Sequence, residues 1–526
     1  MGKVYLLDCT LRDGGYVNDW RFGFETIKGF SKKISQTGIE IYEVGFLKGA
    51  TYDPNRAIFP TIDSYKDVIT PKNPNMKYVA MLDMSNPIPL ELIPKYDGTS
   101  VDGIRVIFKK DKLKEAYEYC KKIQELGYFI SVNFVGTDLY TDEEFIHGIQ
   151  YFNSLNPYAM AIVDTFGLIK KKQFLRLIYI ADNNMNDGIV LGYHAHNNLQ
   201  QAFGNAEALV ELNLRRNVII DACVFGMGRG AGNLNLELFA EYMNENYDTN
   251  YRIEPMLEIM DEYLSDIYKR KQWGYSLPLY LSATSACHPN YAIYLAEKDS
   301  LNVASFNELL KSISKEDKIN FSKEKAELYY SKYLEQEKED CSSLQKLQEI
   351  FHDKQVVLLA PGRSLLEYQD KVLNLCKDQN NIVVSVNFNP VDIDTDFVFS
   401  SNMKRFRKIV CGPNTKTITT SNMQINCSSN FVVSFSKIAN NHLEIIDNSG
   451  LMLLRLLKYL EVKNVLVAGM DGYSEYYGKD YYEQGLEYDF SNTAEKRNSL
   501  IKQELNELRK EMNISFITPS NYDNLD

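Results

Sequence analysis

Over its first 235 residues the chain repeats a single rhythm: a short apolar run rich in β-branched residues, then a segment of helical length. Eight runs keep it: Val4–Leu7, Ile39–Phe46, Lys77–Leu82, Gly103–Phe108, Tyr128–Val135, Ala159–Val163, Ile189–Tyr193 and Val218–Phe225. Runs of this kind read as strands buried on both faces, with the intervening segments as the covering helices. In Lys112–Leu126, for example, Leu113, Ala116, Tyr117, Cys120 and Ile123 fall at helical spacing. Eight such units in fewer than about 250 residues predict an α/β fold, a (β/α)8 TIM barrel. A doubly wound open sheet is the alternative, because counting runs does not show closure.

The rhythm stops near Asn235. From there to Ile350, charged segments bearing Leu and Tyr, such as MLEIMDEYLSDIYKR, predict a helical extension that ends in a Lys- and Glu-dense connector over Ser314–Asp340. After Lys354 the strand signal returns in VVLLA, IVVSVNF, DFVFSS, KIVCG, NFVVSF and NVLVAGMD, which predict a Rossmann-like α/β domain. The expected organisation is a barrel domain over 1–238, a helical extension and linker over 239–350, and an α/β domain over 351–526.

With 526 residues, 44% of them hydrophobic, the chain has material for these cores. Lys and Arg number 58 against 70 Asp and Glu, and the net charge of −12 leaves no basic footprint for a nucleic-acid polymer or an anionic membrane. No apolar stretch of about 18 residues offers a membrane span. The start, MGKVYLLDCTLRDGG, lacks the apolar core of a signal peptide. The eight cysteines (Cys9, Cys120, Cys223, Cys287, Cys341, Cys376, Cys411 and Cys427) show no CxxC spacing and read as reduced, mostly core thiols. A cytoplasmic protein acting on a small molecule is expected.

The strongest local signal is GYHAHNN, Gly192–Asn198, at the end of the seventh run. Residues i and i+2 of a strand share a face, so His194 and His196 present two imidazoles side by side. Two of only six histidines meet here, at the C-terminal rim where barrel sites are built. At the same rim of the first run stands Asp8-Cys-Thr-Leu-Arg-Asp-Gly-Gly-Tyr16, and in a closed barrel Asp13 could reach an ion held by the two histidines. A carboxylate and two imidazoles leave positions open for a bidentate oxygen substrate on Mn, Mg, Co or Zn. Arg12 would then hold or polarise an anionic oxygen. The bland alternative for Arg12 and Asp13 is an exposed turn ahead of Gly14-Gly15. Gly226–Asn233, GMGRGAGN, offers close backbone approach and amides for an anion, or is a plain loop. Asp164-Thr165 after the sixth run adds a carboxylate and a hydroxyl to that rim.

Taken together, LLDCTLRDGG, IYEVGF, VDTFG, GYHAHNN and GMGRGAGN resemble the TIM-barrel (DRE-type) metallolyase superfamily of 4-hydroxy-2-oxovalerate aldolase, hydroxymethylglutaryl-CoA lyase and 2-isopropylmalate synthase. The resemblance implies a divalent metal held by Asp13, His194 and His196, with Asn233 beside it. It implies that Arg12 stabilises an enolate and matches Glu43 to the glutamate of the second strand. The synthases end their glycine loop in Gly-Glu-Arg-Ala-Gly-Asn, whereas this chain reads Gly228-Arg-Gly-Ala-Gly-Asn233, which disfavours an acyl-CoA-dependent condensing synthase. The lyases carry a cysteine in that loop and this chain has none between Phe225 and Asn233, so the aldolase branch fits best. The catalytic histidine of the aldolases is replaced here by Tyr16. Proton transfer then falls to Tyr16, to a metal-bound water, or to His288 and Tyr291. The activity implied is a metal-dependent aldolase or lyase acting next to a 2-oxo acid, with an aldehyde as the other substrate, in specialised or surface-polysaccharide metabolism. A homo-oligomer or a dehydrogenase partner accompanies that expectation. A non-catalytic metal- or ligand-binding scaffold is the rival outside enzymes.

In the C-terminal part, Val357–Leu365 with its Pro361-Gly362-Arg363-Ser364 turn, and Ser449-Gly450 ahead of VLVAGMDGYS, each suggest a turn into a helix; an ordinary capped α/β turn is the favoured reading, and a phosphate receiver the alternative. Ser364 reads as a helix cap. This pattern resembles sialyltransferase-like and hydroxymethylpterin diphosphokinase-like α/β domains, which implies a nucleotide or nucleotide-sugar ligand.

Overall fold

The computed structural model describes residues 2–296, 298, 301, 303–334, 341–423, 430–475, 480–482 and 490–523. Two compact units divide the chain, Met1–Ile293 and Tyr294–Asp526.

Unit 1 is built on nine parallel strands: β1 (Val4–Asp8), β2 (Ile41–Leu47), β3 (Ile58–Phe59), β4 (Lys77–Asp83), β5 (Gly103–Phe108), β6 (Phe129–Phe134), β7 (Ala159–Asp164), β8 (Val190–Ala195) and β9 (Val218–Ala222). Neighbours pair in the order β1-β9-β8-β7-β6-β5-β4-β2-β3, and β1 also pairs with β2 through Leu7↔Ile41. That extra pairing closes an eight-stranded barrel and rules out the open sheet; the two-residue β3 hangs on the outside of β2. The predicted runs coincide with the eight barrel strands.

Parity along each strand decides what the barrel encloses. Leu6, Tyr42, Val44, Ile104, Val106, Tyr193 and Ile220 pack outward into the large core shared with the helices. Leu7, Ile41, Val79, Val190 and Ile219 fill the inside together with Cys9 and Cys223. Stepping by two from Ile41, Val190 and Ile219 therefore carries Glu43, His194 and Asp221 into the interior near its C-terminal end. Arg105 sits between the outward Ile104 and Val106 and enters it by the same rule. Fully burying each aliphatic side chain contributes about 1.5–3 kcal/mol, so slipping any strand by one residue is costly, and its charged residues are fixed inward.

Unit 2 carries a second all-parallel sheet of β10 (Gln355–Leu359), β11 (Asn381–Val386), β12 (Phe397–Ser400), β13 (Lys416–Thr420), β14 (Phe431–Val433), β15 (Asn464–Ala468) and β16 (Asn513–Phe516). Its order is β14-β13-β12-β11-β10-β15-β16. Two strand expectations need correction here. KIVCG is irregular and leaves Val410 83% exposed, so its apolar run finds no buried face. The strand is the following Lys416–Thr420, and the last strand, β16, had no counterpart among the expected runs. The region expected to be helical is helical where described, for example Val303–Ser312, Lys323–Leu334 and Cys341–Phe351.

Cys9, Cys120, Cys223 and Cys287 are buried free thiols, while Cys376 and Cys411 are half-buried. Cys427 and the side chain of Cys341 lie outside the described residues. No helix among the described residues is long and apolar enough to cross a membrane.

Candidate metal centre

The first rim segment is not an exposed turn. Thr10–Asp13 forms one helical turn directly after β1, all of it buried, and the Gly14–Tyr16 turn follows. Gly15 lets that turn lie against Trp20, whose indole Nε1 donates to the Arg12 carbonyl at 2.7 Å; a Cβ on Gly15 would sit 2.0 Å from the Trp20 ring. Arg12 and Asp13 are thereby pressed into the barrel mouth, with 5% and 1% exposure.

Six side chains then close a ring of contacts. Asp13 Oδ1 lies 3.1 Å from Arg12 Nη1, and Arg12 Nε donates to Glu43 Oε2 at 2.5 Å. Arg105 donates from Nη1 to Glu43 Oε1 at 3.0 Å and from Nη2 to Asp221 Oδ2 at 2.5 Å. Asp221 Oδ2 lies 3.1 Å from His194 Nδ1, and His194 Nε2 lies 3.1 Å from Asp13 Oδ2. His196 Nε2 approaches the same Asp13 oxygen at 3.8 Å. Three carboxylates face two guanidinium groups in this ring, so with neutral imidazoles the interior carries one uncompensated negative charge, which a cation would balance.

Orphaned atoms mark where that cation fits. His196 Nδ1 and Asn233 Oδ1 are buried and make no hydrogen bond, and the buried oxygens of Asp13 have only the ion-pair contacts with Arg12 and the two histidines. The ligand atoms of Asp13, His194 and His196 all lie within 4.8 Å of one another. Asn233 pairs with His196 across an isolated β-bridge. Its Nδ2 donates to the Met227 carbonyl at 3.0 Å and to Cys223 Sγ at 3.2 Å, which leaves Oδ1 as its open donor atom. The set suits a divalent cation with imidazole and oxygen ligands. A second group, Cys9, His194 and Asp221, is also close-packed. There burial pushes the Cys9 thiol up, so it keeps its proton, and Asp221 already occupies His194 Nδ1. That group orients the histidine from behind, as outer partners of metal-binding imidazoles do.

The charge states agree. Burial by itself pushes the Asp13 carboxyl up, but Arg12 and the two histidines outweigh it and hold it well below the usual range. Burial drives His196 down to about 3 against the pull of Asp13, so its imidazole is neutral. Burial also works against a charged His194, yet its contacts with Asp13 and Asp221 lift it well above the ordinary value. A metal ion would displace that proton.

Three expectations change on inspection. Asp164 does not face the site: its oxygens accept the Leu168 and Ile169 amides at 2.8 and 3.0 Å, and Thr165 Oγ1 accepts the Gly136 amide. These groups shape the turn after β7. The Gly226–Asn233 loop uses much of its backbone on itself: the Asn233 amide donates to the Gly226 carbonyl at 3.0 Å, Gly232 to Arg229, and Ala231 to Asn198 Oδ1. Its glycines permit that crossing, since a Cβ on Gly232 would meet the Gly226 carbonyl at 2.1 Å. Tyr291 is fully buried, whereas His288, whose Nδ1 accepts the Asn290 amide, has its ring centre 6.0 Å from that of Phe166 on the turn after β7, and burial together with the nearby Arg229 pushes it down to about 3. Tyr16 instead stands at the rim, 37% exposed, with the Arg229 guanidinium 5.4 Å from its ring centre.

Arg105 and Asp221 were not anticipated. The signal existed, because each is a lone charge inside an apolar strand, GIRVIF and VIIDA. A buried charge in such a run needs a partner, and only the closed barrel identifies it.

The HMGL-like family model matches residues 3–261. A 4-hydroxy-2-oxovalerate aldolase of Desulfitobacterium hafniense is 24% identical over 275 residues, covering 51% of this chain and 80% of that protein. The enzyme of the same name from Pseudoalteromonas translucida is 24% identical over 261 residues, 49% and 74% of the two chains. Among solved structures, the N-terminal domain of a Bacteroides vulgatus protein superposes with a TM-score of 0.49 at 23% identity, covering 56% of this chain and 96% of that one.

Proposed function

Since residues 3–261 belong to the HMGL-like family of metal-dependent C–C lyases and aldolases, we propose that this protein makes or breaks a C–C bond next to a 2-oxo acid of the pyruvate type, with an aldehyde as the second substrate. The observation that carries this reading is the buried convergence of Asp13, His194 and His196 from segments distant in sequence, with donor atoms left open. Asp13, His194 and His196 would hold the ion, with Asn233 Oδ1 as a further ligand. Bound there, a divalent cation supplies the Lewis acid that takes up charge on a ketone oxygen.

The chain's own groups do the rest. Glu43 and Asp13 grip Arg12 on two sides and fix its plane, and its remaining N–H groups are available to the carboxylate or the developing oxyanion of the substrate. Asp221 fixes the His194 tautomer by taking its Nδ1–H, which leaves Nε2 as the ligand atom. Tyr16, on the turn next to Asp13, is the group we assign to proton transfer. Its rim position and the Arg229 cation over its ring suit a phenol that reaches substrate.

The test is exchange of pyruvate methyl protons for deuterium, followed by NMR, with the wild type and His194→Ala. Exchange that requires Mn or Mg and is lost in the variant supports the reading and opens an aldehyde screen. No exchange while metal binding is demonstrated overturns pyruvate as the donor.

A further inference from the structure

The two turns of unit 2 follow the ordinary reading. At Pro361–Ser364 the Ser364 amide and hydroxyl both donate to the Asp471 carboxylate, the amide at 2.7 Å, so Ser364 opens the short helix Ser364–Glu367 and does not cap it. At Asn448 the side chain accepts the Leu451 amide at 3.0 Å and caps the helix Ser449–Tyr459. A charge that the chain leaves unanswered lies in unit 1 instead.

That charge is Arg229, in the loop after β9. Gly228-Arg-Gly-Ala-Gly-Asn233 contains no other charged side chain, and neighbours on two sides hold its backbone. Asn198 Oδ1 accepts the Ala231 amide at 2.9 Å while Asn198 Nδ2 donates to the Phe166 carbonyl at 2.9 Å, so one side chain clips the loop to the turn after β7. The Asn197 amide donates to the Gly232 carbonyl at 2.8 Å. A Cβ on Gly228 would sit 2.2 Å from Asn233 Nδ2, so the position before Arg229 has no room for a side chain.

Strand order then fixes where Arg229 reaches. β9 lies between β1 and β8, and β7 is one strand further. The Arg229 guanidinium stands 5.4 Å from the ring centre of Tyr16, after β1, and its Nη2 comes within 3.5 Å of the Thr165 carbonyl, after β7. A side chain that meets both turns passes over the end of β8, where His194 and His196 stand, at the rim where barrel substrates enter.

No carboxylate answers it. Arg12 is gripped by Asp13 and Glu43, and Arg105 by Glu43 and Asp221, whereas Arg229 forms no ion pair among the described residues. Asp83, at the end of β4, is near enough to act on Tyr16, yet its Oδ1 accepts the Ser85 amide at 2.7 Å and it does not pair with Arg229. His288 beside it is neutral and supplies no countercharge. Nε and Nη1 of Arg229 donate to nothing among the described residues. A half-buried guanidinium with an unused fork fits a carboxylate or a phosphate group, which it can hold through two parallel hydrogen bonds. The 2-oxo acid does not require it, because Arg12 is the cation assigned to that substrate.

We propose that Arg229 selects the second substrate, an aldehyde that carries its own anionic group, a carboxylate or a phosphate, at the end remote from the carbonyl. This rests on the aldolase reading above and narrows its substrate class. In the bond-forming direction a proton leaves C3 of the 2-oxo acid and the electron pair it leaves forms the bond to the aldehyde carbon. The C=O π pair moves onto the aldehyde oxygen, which takes up a proton. The anionic tail does not react; the Arg229 fork holds it beside Tyr16 and so orients the carbonyl end toward the donor carbon.

The experiment compares aldehydes added to pyruvate by the full chain with Mn: succinic semialdehyde, glyceraldehyde 3-phosphate and butanal, which matches the first in length without its charge. At least one anionic aldehyde should exceed butanal in kcat/KM by about tenfold or more, and the one that does so tells carboxylate from phosphate. Arg229→Gln should bring that ratio close to unity, and Arg229→Lys, which keeps the charge without the fork, should leave an intermediate ratio. Each ratio is taken within one variant, so a general effect on Tyr16 or on folding cancels. Pyruvate deuterium exchange by the wild type separates the two readings. Exchange without preference for an anionic aldehyde, or with the preference kept in Arg229→Gln, overturns this proposal alone. Absent exchange removes the aldolase reading and the proposal with it.

Discussion

Replacing Arg105 with methionine keeps most of the side-chain volume on β5 and deletes the charge that joins the two halves of the interior ring. Two buried contacts go at once, to Glu43 at 3.0 Å and to Asp221 at 2.5 Å. Removing one partner of a buried ion pair costs about 3–5 kcal/mol, because the other charge is left uncompensated. Arg12 still covers the second oxygen of Glu43, and His194 remains on Asp221. The loss should therefore lie near about 3–4 kcal/mol rather than twice that. A second effect is separable from the first. Without Arg105, Asp221 loses the contact that fixes its carboxylate behind His194, and loss of such an outer partner lowers metal affinity about 10- to 100-fold, which is about 1.4–2.7 kcal/mol. Urea unfolding at neutral pH measures the first effect and calorimetric titration with Mn the second. Arg105→Lys, which retains charge but not the two-pronged geometry, should recover part of the stability and less of the affinity. If Arg105→Met lost less than about 1 kcal/mol and bound Mn as the wild type does, the ring would not be the device that orients the site.

Other expectations follow from single features. Burial lifts the Asp8 carboxyl to about 7, against about 3.9 in an unfolded chain. The folded protein holds that proton where the unfolded chain has released it, so this contribution to stability is complete below about pH 4 and is lost as pH rises to about 7. Relative to Asp8→Asn, the wild type should lose up to about 4 kcal/mol across that window, and parallel denaturation profiles for the two proteins would contradict this. Gly232→Ala must place a Cβ 2.1 Å from the Gly226 carbonyl at a φ of +81°, and should cost about 2 kcal/mol or more and weaken metal binding through Asn233. Gly204→Ala, in helix Ala202–Glu211 with open space around the new carbon, should instead stabilise by up to about 1 kcal/mol; thermal melts of the pair distinguish local collision from general intolerance of the fold. Tyr16→Phe should keep Mn affinity and slow pyruvate deuterium exchange by about 10²–10⁴, and an unchanged exchange rate would remove the phenol from proton transfer.

Much of unit 1 was legible because its signals are local. Apolar runs separated by helical segments are set by neighbours a few residues apart, and the i, i+2 parity of a strand puts His194 and His196 on one face whatever the rest of the chain does. Glu43, two residues beyond Ile41, obeys the same rule. Where local pattern misled, burial was the missing term: KIVCG has the residues of a strand but no face to cover them, and Asp164 has the residue type of a site but turns its oxygens to backbone amides. The sequence by itself thus determined the eight barrel strands, the shared face of His194 and His196 and the chemistry available at the rim. Only the tertiary structure decided that the barrel closes through β1 and β2, that Arg105 and Asp221 complete the ring, and that Asp471 occupies the Pro361–Ser364 turn of unit 2. Which charge meets which depends on strands separated by up to two hundred residues, and such pairings exist only once the chain's long loops have closed and the interior has excluded the water that would otherwise solvate each group alone.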